Sequence, residues 1–253
     1  MKRFDTRQKE SYEDWLRTPA GRYVDNREKK LILDLLAPRG GERILSIESR
    51  SENRHLFLKD EGCLVTEFHA GSGMDQQREI SFCAGVLEDL PFSDNEFDLV
   101  CLISSLEYAG CPEKAVREAA RVCRKRVFIG VPNRYSLAGA RERMATGFPG
   151  ANRYSARRFG IIELMRIVKD AFGETRMKWG SVVFFPYTFY SFAGVIEESI
   201  PIIRNPFGDF LGLSFSVVSR YRTVQDGIIV PFRLGVKRHR EVRGTVREIK
   251  PWA

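Results

Sequence analysis

The sequence predicts an α/β protein with a doubly wound, mainly parallel sheet and helices on both faces. Three observations carry this. Short apolar runs alternate with helical patterns from Leu31 to Val131, the order that builds βαβ units. One run, Phe97–Ile103, is apolar almost throughout, as a strand covered on both faces must be. The stretches between runs are long enough for right-handed crossovers.

Residues 8–37 read as helical. Leu31, Ile32, Leu35 and Leu36 share one face, and Pro38-Arg39-Gly40-Gly41 stops the pattern. A strand follows at 44–47, a helix at 53–60 closed by Gly62, and a second strand at 63–68. A polar, glycine-containing stretch over 70–77 leads to a short third strand at 81–85. Pro91-Phe92-Ser93-Asp94-Asn95 is a turn, and Phe97–Ile103 is the fourth strand. A helix at 113–124 places Val116, Ala119, Ala120 and Cys123 inward, and the fifth strand, 127–131, ends at Pro132. Beyond it the spacing of Ile161, Leu164, Met165 and Val168 predicts a helix over Ile161–Phe172, closed by Gly173. Strands are expected at 176–185 and 211–222. Between them lies an aromatic-rich stretch with Phe184, Phe185, Tyr187, Phe189, Tyr190 and Phe192. It is either a cap over a hydrophobic ligand or ordinary burial against the sheet.

The chain has 253 residues, enough for one sizeable core. No uninterrupted apolar run is long enough to span a bilayer, and the N-terminus, Met1-Lys2-Arg3-Phe4-Asp5, has no apolar signal core. A cytoplasmic location is the expectation. Net charge is +8. It is largely spread along the chain, the exception being a tail where Arg233, Lys237, Arg238, His239, Arg240, Arg243, Arg247 and Lys250 cluster, read as a solvated end or as an arm for nucleic acid or anionic membrane. Cys63, Cys83, Cys101, Cys111 and Cys123 form no Cys-x-x-Cys pair and there are three histidines, so no metal site is expected. Most of these thiols should be reduced core residues.

Between about Tyr12 and Asp226 the chain resembles the class I S-adenosylmethionine (SAM)-dependent methyltransferases. The central piece is Leu90-Pro91-Phe92-Ser93-Asp94-Asn95-Glu96-Phe97-Asp98-Leu99-Val100. Ala115-Val116-Arg117-Glu118-Ala119-Ala120-Arg121-Val122 resembles the helix after it, and Val127-Phe128-Ile129-Gly130-Val131-Pro132-Asn133 the fifth strand. The resemblance implies a Rossmann-like, mainly parallel seven-stranded sheet with an antiparallel end made by the last two strands. It also implies SAM binding through three contacts, and each departs from the family's pattern here.

After the first strand, where the family has Asp-Val-Gly-Cys-Gly-Thr-Gly, this chain reads Ser46-Ile47-Glu48-Ser49-Arg50-Ser51-Glu52. Glycine there permits positive φ and close approach of a ligand to the backbone. Glu48, Arg50 and Glu52 permit neither, and Glu48 would repel the SAM carboxylate, although Arg50 could pair with it. At the end of the second strand His69 stands where an acid grips the ribose. Imidazole lacks a bidentate acceptor, and Glu67 would serve only after a register slip. After the third strand Val86 replaces an Asp on the adenine side, while Glu88 and Asp89 remain. Each lost contact is worth about 1 kcal/mol or more.

Methyl transfer needs positioning and exclusion of water more than a fixed set of catalytic groups. Acceptor-side candidates therefore come from the carboxyl ends of strands. These are Ser104, Ser105, Glu107 and Tyr108 after the fourth strand, and Asn133, Arg134 and Tyr135 after the fifth. Tyr12, Trp15, Arg22 and Tyr23 stand near the N-terminus. Glu107 with Tyr108 is the leading acceptor-facing pair, the plain alternative being a helix-terminal acid beside a wall residue. Glu48, Ser49, Arg50, His69, Glu88, Asp89 and Ser104 are the cofactor-side candidates.

The expected organisation is an N-terminal helical segment (1–40), a methyltransferase-like domain (41–232) with an aromatic cap around 180–210, and the basic tail (233–253). The leading expectation is a methyltransferase-family protein with an eroded SAM site, acting as a pseudoenzyme or noncatalytic binding module. One alternative is an active SAM-dependent enzyme of a small-molecule or lipid-like acceptor with a remodelled loop. The other is a basic scaffold for nucleic acid or anionic membrane.

Overall fold

The computed structural model describes residues 14–48, 56–70, 82–136, 157–185 and 200–217, without the side chains of 69, 70 and 82–85. All of these lie in one compact unit, residues 1–218. Ser49, Arg50, Tyr12, the aromatic residues 187–192 and the basic tail lie outside the described residues. The elements are α1 (Pro19–Leu36), β1 (Arg43–Glu48), α2 (Leu56–Asp60), β2 (Leu64–Ala70) and β3 (Phe82–Gly85), then β4 (Phe97–Ile103), a 3-10 turn (Leu106–Tyr108) and α3 (Pro112–Arg121). β5 (Cys123–Pro132), α4 (Ile161–Phe172), β6 (Met177–Val182) and β7 (Phe210–Ser216) complete them.

The strands form one seven-stranded sheet in the order β3-β2-β1-β4-β5-β7-β6. β1 to β5 pair in parallel. β7 enters between β5 and β6 and is antiparallel to both, so β6 runs with β5. The antiparallel end is therefore β7 alone. The expected helix at 113–124 ends at Arg121, and Cys123 opens β5 as a buried strand residue. Helical spacing and the start of an apolar strand run together there, so periodicity alone could not separate them.

Successive strand residues face opposite sides, and each side has its own core. Leu45, Ile47, Val100, Leu102, Val127 and Ile129 pack with α3 and α4, whereas Ile44, Leu99, Cys101, Ile103 and Phe128 pack with α1 and α2. Thr18 starts α1 by accepting the Gly21 amide at 3.1 Å, with Pro19 in the first turn. Ala37 closes it in the left-handed region, its amide returning to Leu33 at 2.8 Å.

Two glycines set how closely α1 can lie on the sheet. Gly130 of β5 pairs with Gly212 of β7. A Cβ on Gly212 would stand 3.0 Å from Leu31 and Leu35 of α1 and from Phe128. A Cβ on Gly130 would meet the Phe210 ring at 2.5 Å and the Phe128 ring at 2.9 Å. Both rings are buried, so neither can swing out to solvent.

Two polar clasps join elements distant in sequence. At the amino end of the sheet Lys125 bridges Glu42 at 2.9 Å and Asp98 at 3.2 Å, and Asp98 also accepts the Arg43 amide at 3.1 Å. On the α3 side Arg121 donates to Glu118, to Asp94 at 2.7 Å, and to the carbonyls of Phe92 and Leu90 at 2.8 and 2.9 Å. Glu118 in turn accepts the Leu90 amide at 3.1 Å. The Leu-Pro-Phe-Ser-Asp stretch and the helix after it, which carried much of the resemblance, are thus the two halves of one structural clasp.

Gly130→Ala is expected to lower the free energy of unfolding by about 1–3 kcal/mol in urea titrations, because the added methyl overpacks two fixed rings. An unchanged midpoint would contradict this packing. The carboxyls of Asp98 and Glu118 are held below their usual range, Asp98 chiefly by the Arg43 amide and Glu118 chiefly by Arg121. Their contribution is complete above the ordinary carboxylate range and is lost as pH falls from that range down through their lowered values. The melting temperature should therefore drop as pH is lowered below about 4.5, and Arg121→Ala should flatten that acid limb.

Candidate functional site

In this strand order the connections after β1 and after β4 leave in opposite directions along the sheet, so a crevice opens between their carboxyl ends. Glu48 is the last residue of β1 and pairs with Ile103, the last residue of β4. It shares the α1 face with Ile44 and Ser46, four and two residues earlier. Glu48 is 4% exposed, and the Ser46 hydroxyl donates to its Oε1 at 3.4 Å. Cys101 pairs with Ser46 on the same face. Burial pushes its thiol well up, and the charge of Glu48 adds to the shift, placing that carboxylate close by in a poorly solvated region.

Beyond Ile103 the chain turns sharply. Ser104 is in the left-handed region, φ +47°, uncommon for a residue with a side chain. Its amide donates to the Gly130 carbonyl at 2.8 Å, which ties the turn to β5. Ser104 and Ser105 are fully buried, and their hydroxyls have no hydrogen-bond partner among the described residues. Glu107 and Tyr108 lie in the 3-10 turn that follows, Glu107 buried and Tyr108 half-buried. β4 and its turn therefore bring Ser104, Ser105 and Glu107 to the edge where Glu48 ends β1.

The other sequence candidates are distributed differently. Glu88 sits in the turn after β3, and its Oε1 accepts the Cys111 amide at 2.9 Å, capping the start of α3. Asp89 is exposed, its amide returning to Val86 at 3.2 Å in a two-residue bridge, and Val86 is itself exposed. His69 pairs with Ala84 through the backbone, its side chain outside the described residues along with Ser49 and Arg50.

Asn133 is used structurally. Its amide nitrogen donates to the carbonyls of Pro206 and Gly208 at 2.6 and 2.7 Å, and its oxygen accepts the Tyr135 amide at 3.0 Å. Arg134 pairs with Glu163 at 3.2 Å. Trp15 and Tyr23 pack against the α1-side core, and Arg22 is exposed. Trp179 packs against the α3-side core and Phe184 is buried.

The sequence reading passed over Arg27 and Glu28, both buried in α1. They fall on its inner face three and four residues after Val24, a spacing that could have disclosed them. It also passed over the Ser136 hydroxyl bonded to Asp209 at 2.7 Å, with Arg158 at 3.4 Å from the same carboxylate.

With this geometry in hand, similarity to known proteins becomes informative. The family model described as "Methyltransferase domain" matches residues 57–129. An uncharacterised protein of Methanocaldococcus jannaschii is 32% identical over 97 residues, 36% of this chain and 46% of its own length. A demethylmenaquinone methyltransferase of Renibacterium salmoninarum is 30% identical over 101 residues, 38% of this chain and 43% of its own. The chain thus spans less than half the length of these curated relatives.

Among solved structures, a SAM-dependent methyltransferase of Thermotoga maritima, described as a possible histamine N-methyltransferase, superposes with a TM-score of 0.61. It is 21% identical, covering 83% of this chain and 95% of that one. At that identity the likeness shows the fold, which is the Rossmann-like fold of the class I methyltransferases. Residues 57–129 thus match a methyltransferase domain, and the fold around them is the one that the class I methyltransferases have.

Glu88→Ala removes the acceptor for the Cys111 amide at the start of α3. It is expected to lower stability by about 1 kcal/mol, read as a shift in the urea midpoint. No shift would mean that the carboxylate does not cap the helix.

Proposed function

We propose that this chain is a methyltransferase-family protein whose crevice does not take SAM, and that it acts as a noncatalytic binding module. The observation that carries the reading is the buried Glu48 carboxylate at the end of β1, where the family places glycine. SAM carries a carboxylate of its own. A second carboxylate beside it repels that end of the ligand, and a side chain at this position stands where the family's ligand lies against bare backbone. Two further features support it. Val86 replaces the adenine-side acid, and the nearby Glu88 is engaged by the Cys111 amide. The residues at the crevice therefore do not fit SAM, and no transfer step is derived through it.

A second reading, an active enzyme of a small-molecule or lipid-like acceptor, draws support from the fully buried Ser104 and Ser105 hydroxyls at the carboxyl end of β4. Such polar groups are suited to orienting a bound ligand. The relative named demethylmenaquinone methyltransferase points that reading toward a quinone-like acceptor. Fold alone does not choose between the two.

Calorimetric titration with SAM and with S-adenosylhomocysteine distinguishes them. The first reading expects no heat of binding up to about millimolar ligand, an affinity weaker than about −4 kcal/mol. Saturable binding near about 1 μM, roughly −8 kcal/mol, would overturn it and establish the second.

A further inference from the structure

Exposed large apolar side chains are ordinary when scattered and informative when gathered. Four of those exposed among the described residues collect around one corner of the fold. Tyr135 is 58% exposed, Ile162 69%, Phe207 52% and Ile203 55%. The bonds of Asn133 bring Tyr135 and Phe207 together, since it accepts the Tyr135 amide and donates to the carbonyls on either side of Phe207. The Tyr135 ring lies over Gly160, where an added Cβ would stand 2.6 Å from it, and Ile162 is in the first turn of α4, two residues on. Ile203 bridges to Gly180 along β6, four residues before Phe207.

Basic groups are interleaved with them. Arg134 and Arg157, each half-exposed, both pair with Glu163, and Arg204 is exposed beside Ile203. Arg158 pairs with Asp209. Four arginines thus face two acids, and the corner is positive as well as apolar. Apolar tips within a basic ring match a surface with a hydrocarbon interior and anionic headgroups.

We propose that this corner, at the carboxyl ends of β5 and β6 and the amino end of β7, docks on an anionic phospholipid bilayer. Ile162, Phe207, Tyr135 and Ile203 enter the interfacial layer, and the surrounding arginines face lipid phosphates. The proposal uses none of Glu48, Ser104 or Ser105, so its failure leaves the cofactor reading untouched.

The test is partitioning of the full chain onto vesicles of phosphatidylcholine alone and of phosphatidylcholine with about 30% phosphatidylglycerol, measured by co-sedimentation. Binding to the anionic vesicles should exceed that to the neutral ones by about tenfold or more. Ile162→Ser combined with Phe207→Ser should lower it by about tenfold, and Ile162→Ser alone by about threefold. Both side chains are exposed, so the melting temperature should not move. Equal binding to the two vesicle types overturns the proposal. So does a double variant that binds as tightly as the natural chain, a result that would assign the attraction to the basic residues beyond 217.

Discussion

A parallel sheet in which β4 returns to pair with β1 from the opposite side must part its connections at that seam. The crevice between the carboxyl ends of β1 and β4 is therefore a consequence of strand order before any ligand is considered. Everything else arranges itself around this constraint. The two cores must cover both faces of the sheet while leaving the seam's upper end to polar residues. Gly130 and Gly212 let α1 settle against one face, and the clasp of Arg121 draws the β3–β4 connection onto α3 on the other. The residues that end the two strands, Glu48 and Ile103 with Ser104 after it, occupy the seam itself.

At that seam the chain has the frame of the methyltransferase fold, with Glu48 and Ser104 at its strand ends. The positive φ at Ser104, the amide bond from Ser104 to Gly130 and the burial of Ser105 and Glu107 make an ordered edge. In the proposed reading, the buried Glu48 side chain on the neighbouring strand occupies the place that the ligand would take at that edge. Among the described residues acids and bases nearly balance, and most of the chain's positive excess resides in the remaining segments. Polyanion binding through the tail and recognition at the crevice are accordingly separate questions.

Much of the fold was legible because its signals are local. The apolar run Phe97–Ile103, the face Leu31, Ile32, Leu35, Leu36 and the helix closed by Gly173 each depend on spacing within one element. β7's insertion beside β5 was not, since strand order follows from long-range pairing that periodicity does not encode. The site divides in the same way. Sequence position correctly located Glu48 and Ser104 at strand ends. It could not show that Glu88 turns to the Cys111 amide, because that depends on where α3 begins relative to the β3 turn. Nor could it show that Asn133 spends its amide on Pro206 and Gly208, carbonyls that arrive more than seventy residues later. Arg27 and Glu28 share the inner face of α1 by their spacing from Val24, but charged side chains are seldom fully buried, so the sequence alone did not single them out.

The central claim is that the seam between β1 and β4 is intact but closed to SAM. Amide hydrogen exchange across 44–48 and 102–108, followed with and without millimolar SAM, tests it at the residues concerned. The account predicts slow exchange in both strands, as expected for a folded core, and no change on adding SAM. New protection at Glu48, Ser104 and Ser105 would contradict it.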